Sequence, residues 1–193
     1  MFTERYAVVD VETTGFSPSN DRIVEVACVL LDGDGIGPKW STLVNPLISI
    51  PPYATAVHGI TDGMVAGAPA IPSVLPELRR FCRGARIVAH CAAFDLSFLG
   101  AEFAREALCT MRLARVLFPE APNHKNQTLR DFLRIDELLA GPVGAHRALD
   151  DAVVTAHVLL ACRRRFTERY GPGGWSQFAR SKALVRPFIS RAA

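Results

Sequence analysis

The stretch VVDVETTGF, residues 8–16, constrains the fold more than any other part of the chain. Its apolar residues are those of a buried strand, yet it carries Asp10 and Glu12 and then turns at once. Side chains two residues apart in a strand point to the same face, so the two carboxylates would lie together. Because crowded carboxylates repel each other, a hard divalent cation such as Mg²⁺ would stabilise them. A pair of acids at an exposed strand end is the alternative that this stretch leaves open.

The remaining strand and helix signals alternate along the chain. IVEVACVLLD (residues 23–32) and KWSTLVNP (39–46) predict a hairpin, since Asp-Gly pairs lie between them. RIVAH predicts a short buried strand, and most of the segments after it have the apolar spacing of helices. A hairpin followed by alternating strand and helices predicts an α/β fold, a mixed sheet with helices on its faces.

Composition limits the class of protein. With 193 residues, of which 49% are hydrophobic and 21% charged, the chain is expected to form one α/β domain with a sizeable core. No apolar run approaches the ~18 residues of a membrane span, and the charged N-terminus predicts no signal peptide. The five cysteines are odd in number and form no CxxC pair, which argues against a zinc site and for a reducing cytoplasm.

Positive charge is concentrated at the C-terminal end. From Arg163 onward the chain has eight Lys or Arg residues and one acid, whereas residues 1–162 have fourteen basic and eighteen acidic residues. An acidic body with a basic tail suits an enzyme that binds a metal in one place and a polyanion in another. A solvated tail without a binding role is the alternative.

Two further segments carry acids at the starts of predicted helices. AHCAAFD ends in Asp95, and AHRALDDA contains His146 followed by Asp150 and Asp151. An acid in a first turn also stabilises the helix dipole or caps the helix, so each segment alone has a structural explanation. Together with the two strand acids, however, they predict a site that binds metal.

Four motifs in this order resemble those of the DEDDh (DnaQ-like) 3′→5′ exonucleases: DVETTGF, VHGIT, AHCAAFD and HRALDDA. That family includes the proofreading epsilon subunit of bacterial DNA polymerase III, ribonuclease T and oligoribonuclease. The resemblance covers residues 6 to about 162. It implies a ribonuclease H-like fold with a five-stranded mixed sheet flanked by helices. It also suggests an exonuclease domain at residues 1–165 and a basic tail of unknown role at 166–193.

The resemblance also implies a catalytic set. The metal ligands would be Asp10, Glu12, Asp95 and Asp151, holding two divalent ions, Mg²⁺ or Mn²⁺, and His146 would be the general base. Helix geometry alone favours Asp150, four residues from His146, whereas the family's HxxxxD spacing favours Asp151. The two agree if His146 lies in the preceding loop, as the glycines and proline of AGPVGAH suggest. Asp151 is therefore our choice.

Further residues are expected to contact the substrate. The expected set is Thr14, Gly15, Phe16, His58 and Phe94. Thr14 and Gly15 would offer backbone amides to the terminal nucleotide, and His58 resembles a family contact to it. Phe16 and Phe94 would stack on bases, although either could instead belong to the core.

Three functions follow as hypotheses. The first is a two-metal 3′→5′ exonuclease that releases 5′-mononucleotides, with DNA proofreading or repair as its setting. The second is an RNA exonuclease of the ribonuclease T or oligoribonuclease kind, because the same acids serve both substrates and only contacts to a 2′-OH separate them. The third is a non-catalytic polymerase-associated subunit, against which the intact acids argue. The expected partners are single-stranded or frayed 3′ ends, a DNA polymerase or sliding clamp, and a second copy of the chain.

Overall fold

The computed structural model describes residues 4–139, 141 and 144–181, which form a mixed five-stranded sheet with helices on both faces. The strands are β1 (Tyr6–Thr13), β2 (Ile23–Asp32), β3 (Gly35–Leu43), β4 (Arg86–Ala89) and β5 (Leu108–Cys109). Their order is β3-β2-β1-β4-β5, with β2 antiparallel to both neighbours and β4 and β5 parallel to β1. This confirms the predicted hairpin and the mixed sheet of an α/β fold.

Nine α-helices surround the sheet in the described part of the chain. They are α1 (Pro52–His58), α2 (Asp62–Val65), α3 (Ile71–Phe81), α4 (Ala92–Leu99), α5 (Ala101–Ala104), α6 (Thr110–Leu117), α7 (Asn126–Phe132), α8 (Ala148–Tyr170) and α9 (Trp175–Ala179). A 3₁₀ turn follows α7 at Ile135–Leu138. None of these helices is long and apolar enough to cross a membrane.

The central strand β1 is buried on both faces. Tyr6 and Val8 pack with residues of α6 and α8, whereas Ala7 and Val9 pack with residues of α3 and α4. Because side chains alternate along a strand, the even-numbered residues further along β1 continue on the α8 face. The fold therefore brings the acids of β1 toward the first turn of α8.

The described part of the basic C-terminal segment is built into the core. Helix α8 continues without a break across residue 165, where the sequence suggested a domain boundary. Phe166 and Trp175 are buried with ring centroids 5.6 Å apart, and Trp175 Nε1 donates a hydrogen bond to the Tyr6 hydroxyl at 2.8 Å. Phe166 is therefore a residue of the hydrophobic core. Residues 182–193 of the predicted tail lie outside the described residues.

Candidate active site

Three carboxylates meet at the C-terminal end of β1. Asp10, Glu12 and Asp151 each offer an oxygen atom, and these atoms lie within 4.8 Å of one another. The first two come from alternate positions of β1 and the third from the first turn of α8. The structure thus brings together three of the four acids that the resemblance implies as metal ligands.

Asp95, the fourth acid, lies in α4 and lines the same pocket as the other three. It is buried, and its charge helps to raise the pKa of Asp10. Burial and then the charge of Asp151 raise the pKa of Asp95 to about 7, against the opposing effect of backbone hydrogen bonds at Asp95 and Val11. Asp95 therefore belongs to the same electrostatic group, although it stands outside the closest three.

We call the cleft lined by these four residues the acid pocket. Ionisation of its carboxyl groups is unfavourable in the folded protein. Burial is the largest cause of raised pKa at Asp10, Glu12 and Asp151, and neighbouring carboxylates add to it. The pKa of Asp10 is raised well above its usual range, and that of Glu12 is raised to about 8. A divalent cation bound by carboxylate oxygens would offset both the burial and the repulsion. The residues present therefore fit a site for a divalent cation.

His146 lies in the loop before α8, which begins at Ala148. Its exposed side chain lines the acid pocket, and its backbone adopts a left-handed conformation with φ 58°. The His146 amide donates a hydrogen bond to Asp151 Oδ2 at 3.0 Å, whereas Asp150 Oδ2 accepts one from the Gly144 amide at 2.9 Å. The loop position thus resolves the spacing conflict, and it is Asp151 that joins the other acids.

Two polar residues of α7 hold Asp151 and were not predicted from the sequence. Gln127 Nε2 donates to Asp151 Oδ1 at 2.6 Å, and Asn126 Nδ2 donates to the Asp151 carbonyl at 3.2 Å. Both line the acid pocket together with Lys125, whose side chain is exposed. The signal available in the sequence was the run of three polar residues, Lys125 to Gln127, at the start of a helical segment.

A fifth acid, Glu25, also escaped the sequence analysis. It lies on β2 opposite Glu12 on β1 and is only 4% exposed. Arg147 donates to it through Nη2 at 2.7 Å and Nε at 3.1 Å, and the Ala148 amide donates at 2.9 Å. A lone acid in the apolar strand IVEVACVLL was the available signal, because a buried carboxylate needs partners.

The loop after β1 differs from expectation at Thr14. The Thr14 amide donates to the Arg22 carbonyl at 2.9 Å, and its hydroxyl donates to Asp21 Oδ1 at 3.1 Å. In this structure the Thr14 amide is bonded within the protein rather than open to a nucleotide, and the expected contact of Thr14 with the substrate stays a prediction. At Gly15 an added Cβ would lie 2.6 Å from the Asp21 carboxylate, so either that side chain or the loop would have to shift if Gly15 were replaced.

The aromatic residues near the pocket differ in exposure. Phe16 is 83% exposed, which excludes the core alternative for it. Its ring centroid lies 6.3 Å from that of Phe94, which is half-buried and both packs on the core and lines the acid pocket. Tyr53, an exposed residue that the sequence analysis missed, donates its hydroxyl to the Thr14 carbonyl at 3.2 Å.

His58 is buried at the end of α1. Its Nδ1 accepts a hydrogen bond from the Ile60 amide at 3.0 Å, while its buried Nε2 lies near the Thr13 backbone without a hydrogen bond of good geometry among residues 4–139, 141 and 144–181. Burial lowers the pKa of His58, and the Thr13 backbone and Glu25 partly oppose this. A buried nitrogen with unused hydrogen-bonding capacity is what a ligand contact would leave in the free protein.

Comparison with known proteins identifies relatives along most of the chain. The family model RNase_T, described as "Exonuclease", matches residues 7–159. The DNA polymerase III subunit epsilon of Aquifex aeolicus is 31% identical over 183 residues, covering 91% of this chain and 88% of that protein. The DNA polymerase III PolC-type of Caldanaerobacter subterraneus subsp. tengcongensis is 36% identical over 170 residues, or 84% of this chain. The chain spans only 12% of the length of that polymerase.

A solved structure agrees in both fold and sequence. The structure described as "Exonuclease X in complex with 5′ overhanging duplex DNA" is 32% identical, with a TM-score of 0.74. The match covers 92% of this chain and 98% of that one.

Proposed function

Because the chain belongs to the exonuclease family whose model matches residues 7–159, we propose that it is a metal-dependent 3′→5′ exonuclease acting on DNA. Family membership makes it a nuclease hydrolase, and its fold is the ribonuclease H-like one of its relatives. The proposed substrates are single-stranded or frayed 3′ ends, the products are 5′-mononucleotides, and the setting is proofreading or repair.

The acid pocket carries this proposal. Asp10, Glu12, Asp95 and Asp151 would hold two divalent ions, Mg²⁺ or Mn²⁺. Such ions, when bound, supply Lewis acidity for phosphodiester hydrolysis. Histidine is the most frequent general base in enzymes, and His146 is the histidine whose exposed side chain lines this pocket. We propose that His146 takes the proton of the attacking water.

The exposed aromatic surface beside the pocket would receive the terminal bases. Phe16 and Phe94 present neighbouring rings, and stacking on an aromatic ring is worth ~1–3 kcal/mol per base for any sequence. Tyr53 adds an exposed ring bonded to the same loop. We further propose that His58 Nε2 and the Gly15 backbone contact the terminal nucleotide.

DNA is proposed as the substrate on two grounds. The fold relative at 32% identity is in complex with duplex DNA, and the relative at 31% identity is a DNA polymerase III subunit. From the same relatives we propose a DNA polymerase or sliding clamp as a partner. The odd number of cysteines without a CxxC pair favours a reducing cytoplasm as the location. A second copy of the chain is a further proposed partner, and light scattering would detect such a dimer.

The test is digestion of matched 3′-labelled and 5′-labelled DNA and RNA oligomers with Mg²⁺, Mn²⁺ or EDTA. We expect the DNA to be shortened from its 3′ end, 5′-mononucleotides to be released, and EDTA to stop the reaction. Faster digestion of the RNA oligomer would replace DNA by RNA as the substrate. Binding of the oligomers without cleavage, under any metal, would instead support the non-catalytic subunit.

A further inference from the structure

Three hydrogen bonds tie the residues that follow His146 to the sheet. Both guanidinium contacts of Arg147, at 2.7 and 3.1 Å, and the Ala148 amide at 2.9 Å end on the carboxylate of Glu25. Glu25 lies on β2 directly across from Glu12, one of the proposed metal ligands. The loop that carries the proposed base is thus fixed to the strand pair that carries the acids.

Metal binding does not explain an acid at position 25. Both Glu25 oxygens already accept N–H groups, so neither is a free donor to an ion within this arrangement. The Glu25 charge also adds to the causes that raise the pKa of Asp10 and of Glu12. A buried carboxylate that makes its neighbours harder to ionise needs some other reason to be there.

The bidentate geometry of the Arg147–Glu25 pair explains why a buried acid lies there. A bidentate guanidinium–carboxylate pair fixes orientation as well as distance, since two parallel hydrogen bonds must form together. Glu25 is almost fully buried, whereas the Arg147 side chain is 43% exposed, so the pair holds a surface loop to a rigid strand. His146, the next residue back, has a left-handed backbone that a residue other than glycine rarely adopts unless its surroundings hold it there.

We propose that Glu25 and Arg147 form a positioning pair that holds His146 in the orientation needed to act on water in the acid pocket. This proposal rests on the proposed function, in which His146 is the general base. Arg147 and Glu25 would contact neither the substrate nor the reacting atoms. Their effect would pass through the His146 backbone, whose amide is held at the other side by Asp151 Oδ2 at 3.0 Å.

The first experiment measures kcat, KM and metal affinity in Arg147→Ala. Loss of a residue that orients a catalytic group typically lowers activity about 10- to 100-fold, and we expect a fall in kcat of that size. KM and the Mn²⁺ affinity should stay within about twofold. Arg147→Lys should recover only part of the loss, because lysine has the charge without the bidentate geometry. Glu25→Gln should lower kcat in the same direction with less disturbance of packing.

The matched control is Arg79→Ala. Arg79 also forms a bidentate pair, with Glu102, in which Nε donates to Oε2 at 2.6 Å, but it lies on α3 away from the acid pocket. We expect this variant to keep wild-type kcat. An equal fall in kcat for Arg79→Ala and Arg147→Ala would overturn the proposal, because it would mean that loss of any such pair disturbs catalysis.

A second experiment separates positioning from a general structural role. If Arg147 acts only through His146, the double variant His146→Ala/Arg147→Ala should be no slower than His146→Ala. A further loss in the double variant, by the factor seen for Arg147→Ala alone, would overturn the proposal.

Hydrogen exchange of the His146 amide tests the pair without any catalysis. In metal-free protein we expect exchange to be about tenfold faster in Arg147→Ala and in Glu25→Gln than in wild type. Unchanged exchange in both variants would overturn the positioning role. If the wild-type protein had no nuclease activity, or if His146→Ala kept full activity, the proposed function would be wrong. The exchange measurement would still show whether the Glu25–Arg147 pair holds the loop.

Discussion

Asp151 accepts a hydrogen bond from the His146 amide at 3.0 Å, so one carboxylate both joins the acid group and holds the loop of the proposed base. Asp150, its neighbour in sequence, instead accepts from the Gly144 amide at 2.9 Å. The two neighbouring acids therefore make different contacts, and substitution of each should have a different effect on activity.

Replacement of Asp151 by asparagine should abolish hydrolysis, because a proposed metal ligand loses its charge. Asp150→Asn is the matched control, since it removes a charge one residue away while retaining an oxygen that can accept from Gly144. We expect the control to keep most of its activity in a 3′-labelled oligomer assay. A larger loss in Asp150→Asn than in Asp151→Asn would show that the wrong acid was assigned to the metal.

Asp10→Asn should also abolish hydrolysis, but it should stabilise the metal-free protein. The pKa of Asp10 is raised by burial and by four neighbouring carboxylates, so its charge opposes folding. Thermal melts in EDTA should show Asp10→Asn at least as stable as wild type, whereas added Mn²⁺ should raise the melting temperature of wild type more. Retention of more than a few per cent of wild-type activity would remove Asp10 from the metal site.

The stability of metal-free protein should fall as pH rises from 6.5 to 8. Burial raises the pKa of Glu12 to about 8 and that of Asp95 to about 7, so the folded state binds more protons than the unfolded state in this window. Stability present at low pH is therefore lost as pH rises through these values. Burial lowers the pKa of His90 to about 4. His90 therefore makes stability increase with pH, but only below its unfolded pKa of 6.5, which is outside this window.

Melting temperatures in EDTA at pH 6.5 and pH 8 measure this effect. Each kcal/mol lost should lower the melting temperature by roughly 2–4 °C in a protein of this size. Saturating Mg²⁺ should remove the decline, since metal binds the ionised carboxylates, and Glu12→Gln should reduce it. A melting temperature that rises with pH in EDTA would contradict the raised pKa values.

Substitution of His146 by alanine should lower kcat without a matching effect on metal or DNA binding. General-base catalysis typically contributes ~10²–10⁴-fold, because it acts only in the transition state. Single-turnover rates with a 3′-labelled DNA oligomer, together with Mn²⁺ and DNA affinities, measure this split. A variant that keeps near-normal turnover would exclude His146 as the base.

Gly15→Ala should disturb the loop that carries Phe16. An added Cβ would lie 2.6 Å from the Asp21 carboxylate, which accepts hydrogen bonds from the Thr14 hydroxyl and the Ser17 amide. The Asp21 carboxylate would have to leave these hydrogen bonds or the loop would have to shift, so we expect KM for DNA to rise more than kcat falls. Gly67→Ala is the control, since its added Cβ meets no atom within 4 Å. Equal KM values for the two variants would show that the loop does not contact DNA.

Local periods in the sequence predicted the hairpin, the strand RIVAH and the helical segments, whereas the five-stranded sheet and the four converging acids came from the order of the motifs. The sequence did not predict the role of Glu25, since nothing in an apolar strand reveals that its partner, Arg147, is 122 residues away. Nor did it predict the hydrogen bond that the Thr14 amide makes within the loop. A shift in strand register between Glu12 and Thr13 leaves the Thr14 amide opposite the Arg22 carbonyl, and no residue pattern marks that shift.

Removal of residues 182–193 should weaken binding of long single strands while leaving cleavage of a dinucleotide nearly intact. This segment contains Lys182, Arg186 and Arg191, and contacts of such side chains with phosphate release counterions. The deletion has to begin after Ser181, because a cut at Gly171 would remove Trp175, which is buried against Phe166 and bonded to Tyr6. A longer deletion would therefore combine loss of charge with loss of core packing.

The affinity of the shortened protein for a long oligomer should depend less steeply on salt than that of the full chain. Equal salt dependence in the two proteins would show that these charges do not contact nucleic acid.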